Sequence, residues 1–239
     1  MFRLAFLVVA AAAATLTIAP MVTVIGLVRS TSPAIDRLNR LWGKMILAAA
    51  GVRLSTEGAA NVDRSRQYVL VANHASYLDI PVLLVGIPQP LRFFAKRSLF
   101  QIPVFGWGLA AAGFIPIDRK NRAKATASFD LAVQRIGKGN SIVVFPEEGR
   151  SREPQMRPFQ RGAFHLALKS ALPVLPVAIA GTWDVLPPGR RWIRPGPVTI
   201  RIGAPIETAG MSIRDRERLT TMAREEIEGG LAIPAGASS

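Results

Sequence analysis

The hydrophobic pattern divides the chain into two regions of different periodicity. Leu4 to Val28 is an unbroken run of 25 residues without a charge. As a helix rising about 1.5 Å per residue, it exceeds the roughly 30 Å hydrocarbon core of a bilayer. It is also longer than the roughly 7–15-residue apolar region of a secretory signal. The alanines at Ala10–Ala14 keep a cleaved signal as the alternative. Pro20 is expected to break the run into two pieces, so a single span and a hairpin re-entering one leaflet both stay open. A second helix is expected from Ser32, a good cap, with Pro33 in its first turn. There Ile35, Leu38, Leu41, Trp42 and Met45 recur at helical spacing, with Arg37, Arg40 and Lys44 between them. That pattern suits an amphipathic helix at a membrane surface, or a helix packed on a core. Arg29, Arg37, Arg40 and Lys44, opposed only by Asp36, put this side in the cytoplasm by the positive-inside tendency. Arg3 places a charge at the other end as well.

From Tyr68 onward, short apolar runs alternate with helix-like segments. Strands are predicted at Tyr68–Ala72, Arg92–Ala95, Phe114–Ile117, Ile142–Phe145, Val174–Ile179 and Val198–Ile202. Helices are predicted at Leu78–Val85, Arg122–Ile136, Gly162–Ser170 and Ile213–Ile227. The alternation predicts an α/β fold: a largely parallel central sheet flanked by helices, behind an N-terminal membrane-associated helical segment. Ligands in such sheets bind beyond the carboxyl ends of the strands. Pro187-Pro188-Gly189 and Pro195-Gly196-Pro197 mark loops. Arg190, Arg191, Trp192 and Arg194 lie between them, in contact with lipid head groups or with solvent. The tail from Gly229 to Ser239 is expected to fray, and no internal repeat is evident.

Composition narrows the class of partner. The chain has 239 residues, 49% of them hydrophobic, and a net charge of +14. Such charge draws a protein to nucleic acid, acidic lipid or phosphorylated substrates. The apolar amino terminus favours anionic membrane lipid. No basic-aromatic RNP-like segment, zinc-finger spacing or heptad zipper appears, so no nucleic acid is expected as a partner. Cysteine is absent, which excludes a disulfide framework and a thiolate nucleophile and fits a cytosolic setting. With only two histidines, no metal site is expected.

The chemistry is concentrated in Asn73-His74-Ala75-Ser76-Tyr77-Leu78-Asp79, just after a predicted strand. It sets a histidine and an aspartate five residues apart. An imidazole titrates near neutrality, and a carboxylate can fix its tautomer and orientation. The pair suits deprotonation of an alcohol that then attacks a carbonyl; a polar turn capping a helix is the plainer alternative. Three further segments follow in order: Gly113-Phe114-Ile115-Pro116-Ile117-Asp118-Arg119, Phe145-Pro146-Glu147-Glu148-Gly149-Arg150-Ser151, and Leu172-Pro173 to Gly181. The other histidine, His165, lies in an apolar helical stretch and reads as packed or surface-exposed.

Together these segments resemble the glycerolipid acyltransferases, specifically bacterial 1-acyl-glycerol-3-phosphate (lysophosphatidic acid) acyltransferases. The resemblance runs from about Gly58 to Gly181 and takes in Arg92-Phe93-Phe94-Ala95-Lys96 and Ile102 to Trp107. It implies that His74 is the general base and Asp79 the residue that orients it, with Asn73 and Ser76 shaping the turn. It implies that Lys96, Arg119, Glu147 and Arg150 serve the phosphorylated acyl acceptor, with Asp118 beside Arg119, and that Pro176 lies on the acyl-donor side. An arginine fork and a lysine point charge suit a phosphate. The implied reaction moves an acyl chain from acyl-CoA or acyl-carrier protein to the sn-2 hydroxyl of 1-acyl-glycerol-3-phosphate, giving phosphatidic acid without cofactor or metal. Residues 1–53 would be membrane-anchoring helices and 54–239 the catalytic domain. The implied location is the bacterial inner membrane, active site facing the cytoplasm.

One position departs from the family pattern. The third motif usually reads Phe-Pro-Glu-Gly, and here Glu148 stands in place of the glycine, with Gly149 after it. Either the glycine has moved one place, or the carboxylate selects another lysolipid, such as a lyso-ornithine lipid with its amine. A non-catalytic membrane lipid-binding protein is the alternative from a different class.

Overall fold

This computed structural model describes residues 2–118, 122–151, 153 and 155–233, with the backbone alone for 122–127. Among the described residues, seven strands form one sheet in the order β1-β7-β6-β2-β5-β3-β4. They are β1 (Val52–Glu57), β2 (Val69–Ala72), β3 (Leu91–Lys96), β4 (Ile115–Ile117), β5 (Ser141–Val144), β6 (Val174–Ala180) and β7 (Gly196–Ile202). Strands β2 to β6 run parallel; β7 is antiparallel to β6 and pairs parallel with β1. β2 is therefore the central strand, and its carboxyl end shares one edge with those of β3, β4, β5 and β6.

All four residues of β2 are buried, as expected of a strand covered on both faces. Successive side chains point to opposite faces. Leu70 and Ala72 join one apolar layer, Val69 and Val71 the other. The first layer is closed by α1 (Phe2–Val28), α2 (Pro33–Ala50), α3 (Asp79–Gly86) and α4 (Phe105–Ala111). The second is closed by α5 (Arg122–Ile136), α6 (Gly162–Ser170) and α8 (Arg216–Ala232); the short α7 (Thr182–Val185) follows β6. Gly230 of α8 sits so close to β6 that a Cβ there would lie 2.6 Å from that of Ala178.

Several elements differ from the sequence pattern. α1 is one continuous helix through Pro20. Pro20 is exposed, while Ala14, Ile18, Ala19 and Val22 on either side of it are buried. Packing on both sides of the proline holds the helix through the missing hydrogen bond. Ser32 caps α2 as expected, accepting from the Ala34 N–H at 3.3 Å. Arg40 is not a surface cation: it donates to the carbonyls of Val85 and Ile87 at 2.6 and 2.9 Å, at the end of α3. Asp36 pairs with the buried Arg92 at 2.6 Å. α2 thus packs on the body through Ile35, Ile46 and Leu47 and still exposes Leu41 and Met45. β1 was not legible because Val-Arg-Leu-Ser-Thr-Glu is an edge strand that alternates half-buried with exposed residues and offers no continuous apolar run. α4 was hidden by its glycines, which the packing requires. A Cβ on Gly108 would lie 2.7 Å from that of Ala19 on α1. α8 continues through Gly229 and Gly230, where fraying was expected; residues 234–239 lie outside the described set.

The turn after β5 settles one ambiguity. Glu148 has φ +54°, whereas Gly149 is not among the positive-φ residues. The left-handed position therefore coincides with the family's usual glycine, and the glycine has not moved in conformational terms. Glu148 carries a strain of about 1–2 kcal/mol that a glycine would not. Glu148→Gly is expected to raise stability by about 0.5–1 kcal/mol, glycine's freedom in the unfolded chain offsetting the rest. Chemical denaturation of the two proteins in the same detergent measures it; an equal or lower midpoint for the glycine variant would contradict the assignment.

Candidate active site

β2 ends at Ala72, and the next seven residues turn back into α3. Asn73 prolongs the sheet with its side chain. Its Nδ2 donates to the Ile179 carbonyl at 3.0 Å, and its Oδ1 accepts from the Ile179 N–H at 2.7 Å. Ser76, fully buried, donates from Oγ to the Leu186 carbonyl at 2.6 Å and accepts from the Leu78 N–H at 3.1 Å. The turn is thus pinned to β6 and to the segment after α7.

His74 and Asp79 meet inside this turn. Asp79 is 0% and His74 7% exposed. Nδ1 of His74 lies 2.7 Å from Oδ2 of Asp79. The same oxygen accepts from the backbone N–H groups of Ala75 and Ser76, both at 2.8 Å. Two N–H donors aimed at one oxygen hold the carboxylate as an acceptor, so the third contact is an Nδ1–H donor. The lone pair is then on Nε2, the tautomer a general base requires. Oδ1 of Asp79 is buried with no partner among the described residues.

The third motif closes over the imidazole. Phe145 stacks on the His74 ring with centroids 4.0 Å apart and planes 15° from parallel. Glu147, 3% exposed, accepts from the His74 N–H at 2.6 Å through Oε1 and from the Arg157 N–H at 2.8 Å through Oε2. Burial pushes its carboxyl above the ordinary value, against the pull of those two N–H groups. The Ser151 N–H donates to the His74 carbonyl at 2.9 Å. Both Glu147 oxygens are spent on backbone, so the carboxylate fixes the position of His74. The N–H groups of residues 74, 75 and 76 are likewise all engaged by carboxylates, so none is left to receive a developing oxyanion.

Arg150 lies on the same turn. Its Nε donates to the Ser76 carbonyl at 3.2 Å, and its guanidinium sits 4.0 Å from the Tyr77 ring centroid. No other hydrogen bond from it occurs among the described residues. Burial pushes its pKa down from the ordinary arginine range, a direction that leaves an arginine charged. Half-buried, cationic and one-sided in its bonding, it is ready for an anion. Lys96 ends β3 on the same sheet edge and is exposed; no hydrogen bond or ion pair joins it to the cluster among the described residues. Arg119 lies outside the described residues. Glu148 is exposed and borders a cavity with Phe94, Phe129 and Gln160. His165 is exposed on α6, remote in sequence and layer from His74.

Two cavities adjoin the turn. One, of about 140 Å³, is almost wholly apolar and lies between α1, α2, α3, α4 and β3, with Ile18, Trp42, Tyr77, Leu84, Phe93 and Ala112 among its walls. An aromatic row leads to it from the imidazole: Phe145 stacks on His74, and Phe93 lies 6.4 Å from Phe145. The other, of about 510 Å³, lies on the β6–β7 side of the turn. The roles of Phe145 and Tyr77 were not seen in the sequence. Both stood in quoted motifs, but stacking on residues 71 and 73 positions away leaves no local signal. No group of three or more potential metal ligands occurs among the described residues.

A profile of the acyltransferase family matches residues 53–180. A chloroplastic 1-acyl-sn-glycerol-3-phosphate acyltransferase of Brassica napus is 36% identical over 139 residues, 58% of this chain and 40% of that protein. The alpha 1-acyl-sn-glycerol-3-phosphate acyltransferase of Mus musculus is 31% identical over 179 residues, 74% of this chain and 63% of that protein. The chain thus spans about half the length of the curated relatives it matches. The crystal structure of the 1-acyl-sn-glycerophosphate acyltransferase of Thermotoga maritima superposes with a TM-score of 0.71 and 26% identity, covering 90% of this chain and 92% of that one. The match spans the turn after β2, the turn after β5 and the whole of β6, and on that ground this chain belongs to the acyltransferase family.

Proposed function

We propose that the chain is a 1-acyl-sn-glycerol-3-phosphate acyltransferase: it moves an acyl group from a thioester, acyl-CoA or acyl-carrier protein, to the sn-2 hydroxyl of lysophosphatidic acid. The observation that carries the reading is the His74–Asp79 pair, buried, with Nδ1 committed to the carboxylate and Nε2 left as acceptor. In this reading Nε2 takes the proton of the sn-2 hydroxyl. The oxygen attacks the thioester carbonyl, the C–S bond breaks, and the thiolate leaves with the proton returned from His74. The thioester is already activated, so no serine or cysteine nucleophile is needed. Arg150 receives the phosphate, with Lys96 and Arg119 as further cations. Glu147 acts on the acceptor only through the position of His74.

The apolar cavity suits an acyl chain, since its walls offer almost no polar group to a ligand. α1 is long and apolar enough to cross a membrane. It exposes Phe6, Val9, Leu16, Val24 and Leu27, and α2 adds Leu41 and Met45. We read residues 1–53 as the membrane-anchoring part and 54–239 as the catalytic part, at the inner face of a bacterial cell membrane. One side of α1 packs on the protein and the other is apolar and open, which supports insertion beside the site.

The test is thiol release from palmitoyl-CoA by the detergent-solubilised protein, with and without 1-acyl-glycerol-3-phosphate. Release that needs the acceptor and yields phosphatidic acid is expected; release indifferent to the acceptor would overturn the reading. His74→Ala is expected to lower kcat by about 100-fold or more, and near-normal turnover would remove it as the base. Arg150→Ala is expected to raise KM for the lysophospholipid by about 10- to 100-fold, the size of a charge-assisted hydrogen bond. An unchanged KM would remove it from the phosphate site. Ala112→Phe fills the apolar cavity and is expected to shift preference from palmitoyl- toward decanoyl-CoA, read from kcat/KM along a chain-length series.

A further inference from the structure

We infer that the cavity on the β6–β7 side of the catalytic turn receives the phosphopantetheine arm of the acyl donor, with Arg194 at its rim taking the phosphate. The inference rests on the acyl-transfer reading and names a cavity and residues for the donor's arm, whose side of the site the family resemblance marks only by Pro176. The cavity, about 510 Å³, begins at the turn itself, with Asn73 and Ala75 in its wall, and extends past Trp183 to Arg194. Its walls mix polar and apolar groups, unlike those of the cavity under α1 and α2. An arm built of two amides, short alkyl spacers and a terminal phosphate has that mixed character; an acyl chain does not.

One further observation points to a ligand, and a second shows that the segment beside it is fixed. The indole N–H of Trp183 is buried without a hydrogen-bond partner among the described residues, although Trp183 lines the cavity. A buried, unpaired donor costs about 1–3 kcal/mol, and an amide carbonyl of the arm would relieve it. The segment that carries Arg194 is also held in place. The Arg194 N–H donates to the Val185 carbonyl at 3.0 Å, and Ile193 is buried in the core. Ser76 ties the catalytic turn to the same segment through Leu186. Arg190, stacked 4.8 Å over Trp192, and Arg191 precede Arg194 in the same basic segment. Asp184 is the single carboxylate in the wall, and no ion pair joins it to Arg194 among the described residues. The cations proposed for the acceptor, Arg150 after β5 and Lys96 at the end of β3, are on the opposite side of β2. The acceptor's phosphate and the donor's arm thus lie on opposite sides of the central strand.

The test uses the full chain in detergent. Arg194→Ala is expected to raise KM for palmitoyl-CoA by about 10- to 100-fold while KM for lysophosphatidic acid holds. Palmitoyl-pantetheine, which lacks the phosphate, should be a poorer donor for the wild type by a similar factor and equally poor for the variant. Trp183→Phe should raise donor KM by a smaller, about 3- to 10-fold, factor. Arg66→Ala, which removes a cation paired with Glu207 elsewhere on the surface, should leave donor KM alone. Equilibrium binding of free CoA, weakened by Arg194→Ala, reads the site without turnover; a wild type that binds CoA but transfers nothing would count against the proposed reaction and not against the site. Palmitoyl-acyl-carrier protein in parallel distinguishes the source of the arm: a KM effect with both donors, or with either, supports the assignment. Unchanged donor KM and CoA binding would overturn it. So would a loss confined to binding of anionic vesicles, since Arg194 would then be a lipid contact.

Discussion

Everything in the candidate site hangs on one oxygen. Oδ2 of Asp79 accepts three hydrogen bonds, one from the imidazole and two from the backbone that bends around it. The same contacts that fold the turn therefore choose the tautomer. A second carboxylate repeats the device at longer range: Glu147 holds the His74 N–H and the Arg157 N–H together. Both acids are buried, where their charge is stabilised only by the donors aimed at them. The site is thus built from two anions that spend nearly all of their bonding on main chain. The imidazole is thereby fixed through Nδ1, its ring face and its backbone N–H, with Nε2 left over.

This explains how the sequence was informative and where it was not. The spacing of His74 and Asp79 is local, since a strand end, a short turn and a helix start fix it, and the pair was visible at once. The sheet was visible too, because the strands buried on both faces are continuous apolar runs. β1 was missed for the opposite reason, as an edge strand that alternates with charged residues. Glu147 stood in a recognised motif, but nothing in its spacing tells a backbone clamp from a ligand for substrate. That distinction depends on where residue 74 lies in space. Phe145 and Tyr77 show the same limit, because a ring's function as a stacking partner is set by tertiary contact. Glu148 was the one local anomaly, and its meaning became clear only from its left-handed φ.

The N-terminal helices look in sequence like an appendage, and the structure gives them another part. Ile18 and Val22 of α1 and Trp42 of α2 are walls of the apolar cavity, and the Trp42 indole N–H donates to Thr15 Oγ1 at 3.0 Å. Close contacts through small residues, Gly108 with Ala19 and Gly26 with Ala111, seat α4 on α1. An exposed apolar surface and the lining of a cavity beside the His74 turn are two faces of one helix. Its apolar character all round, which hides any amphipathic stripe, follows from that double duty.

The pairing of Asn73 with Ile179 joins residues 106 positions apart, and that of His74 with Glu147 joins residues 73 apart. Neither can form until β6 and β5 have docked on either side of β2. Closing such loops is entropically unfavourable until the packing that follows rewards it, which makes parallel sheets slow to assemble. The anchoring of this turn to its neighbouring strands is therefore among the last parts of the fold to form. Before β6 docks, the turn keeps its local contacts to Asp79 Oδ2 but lacks the bonds of Asn73 to Ile179 and of Ser76 to Leu186 that pin it to β6 and to the segment after α7. The motif is local, but its orientation within the molecule is settled only when the strands on both sides of β2 are in place.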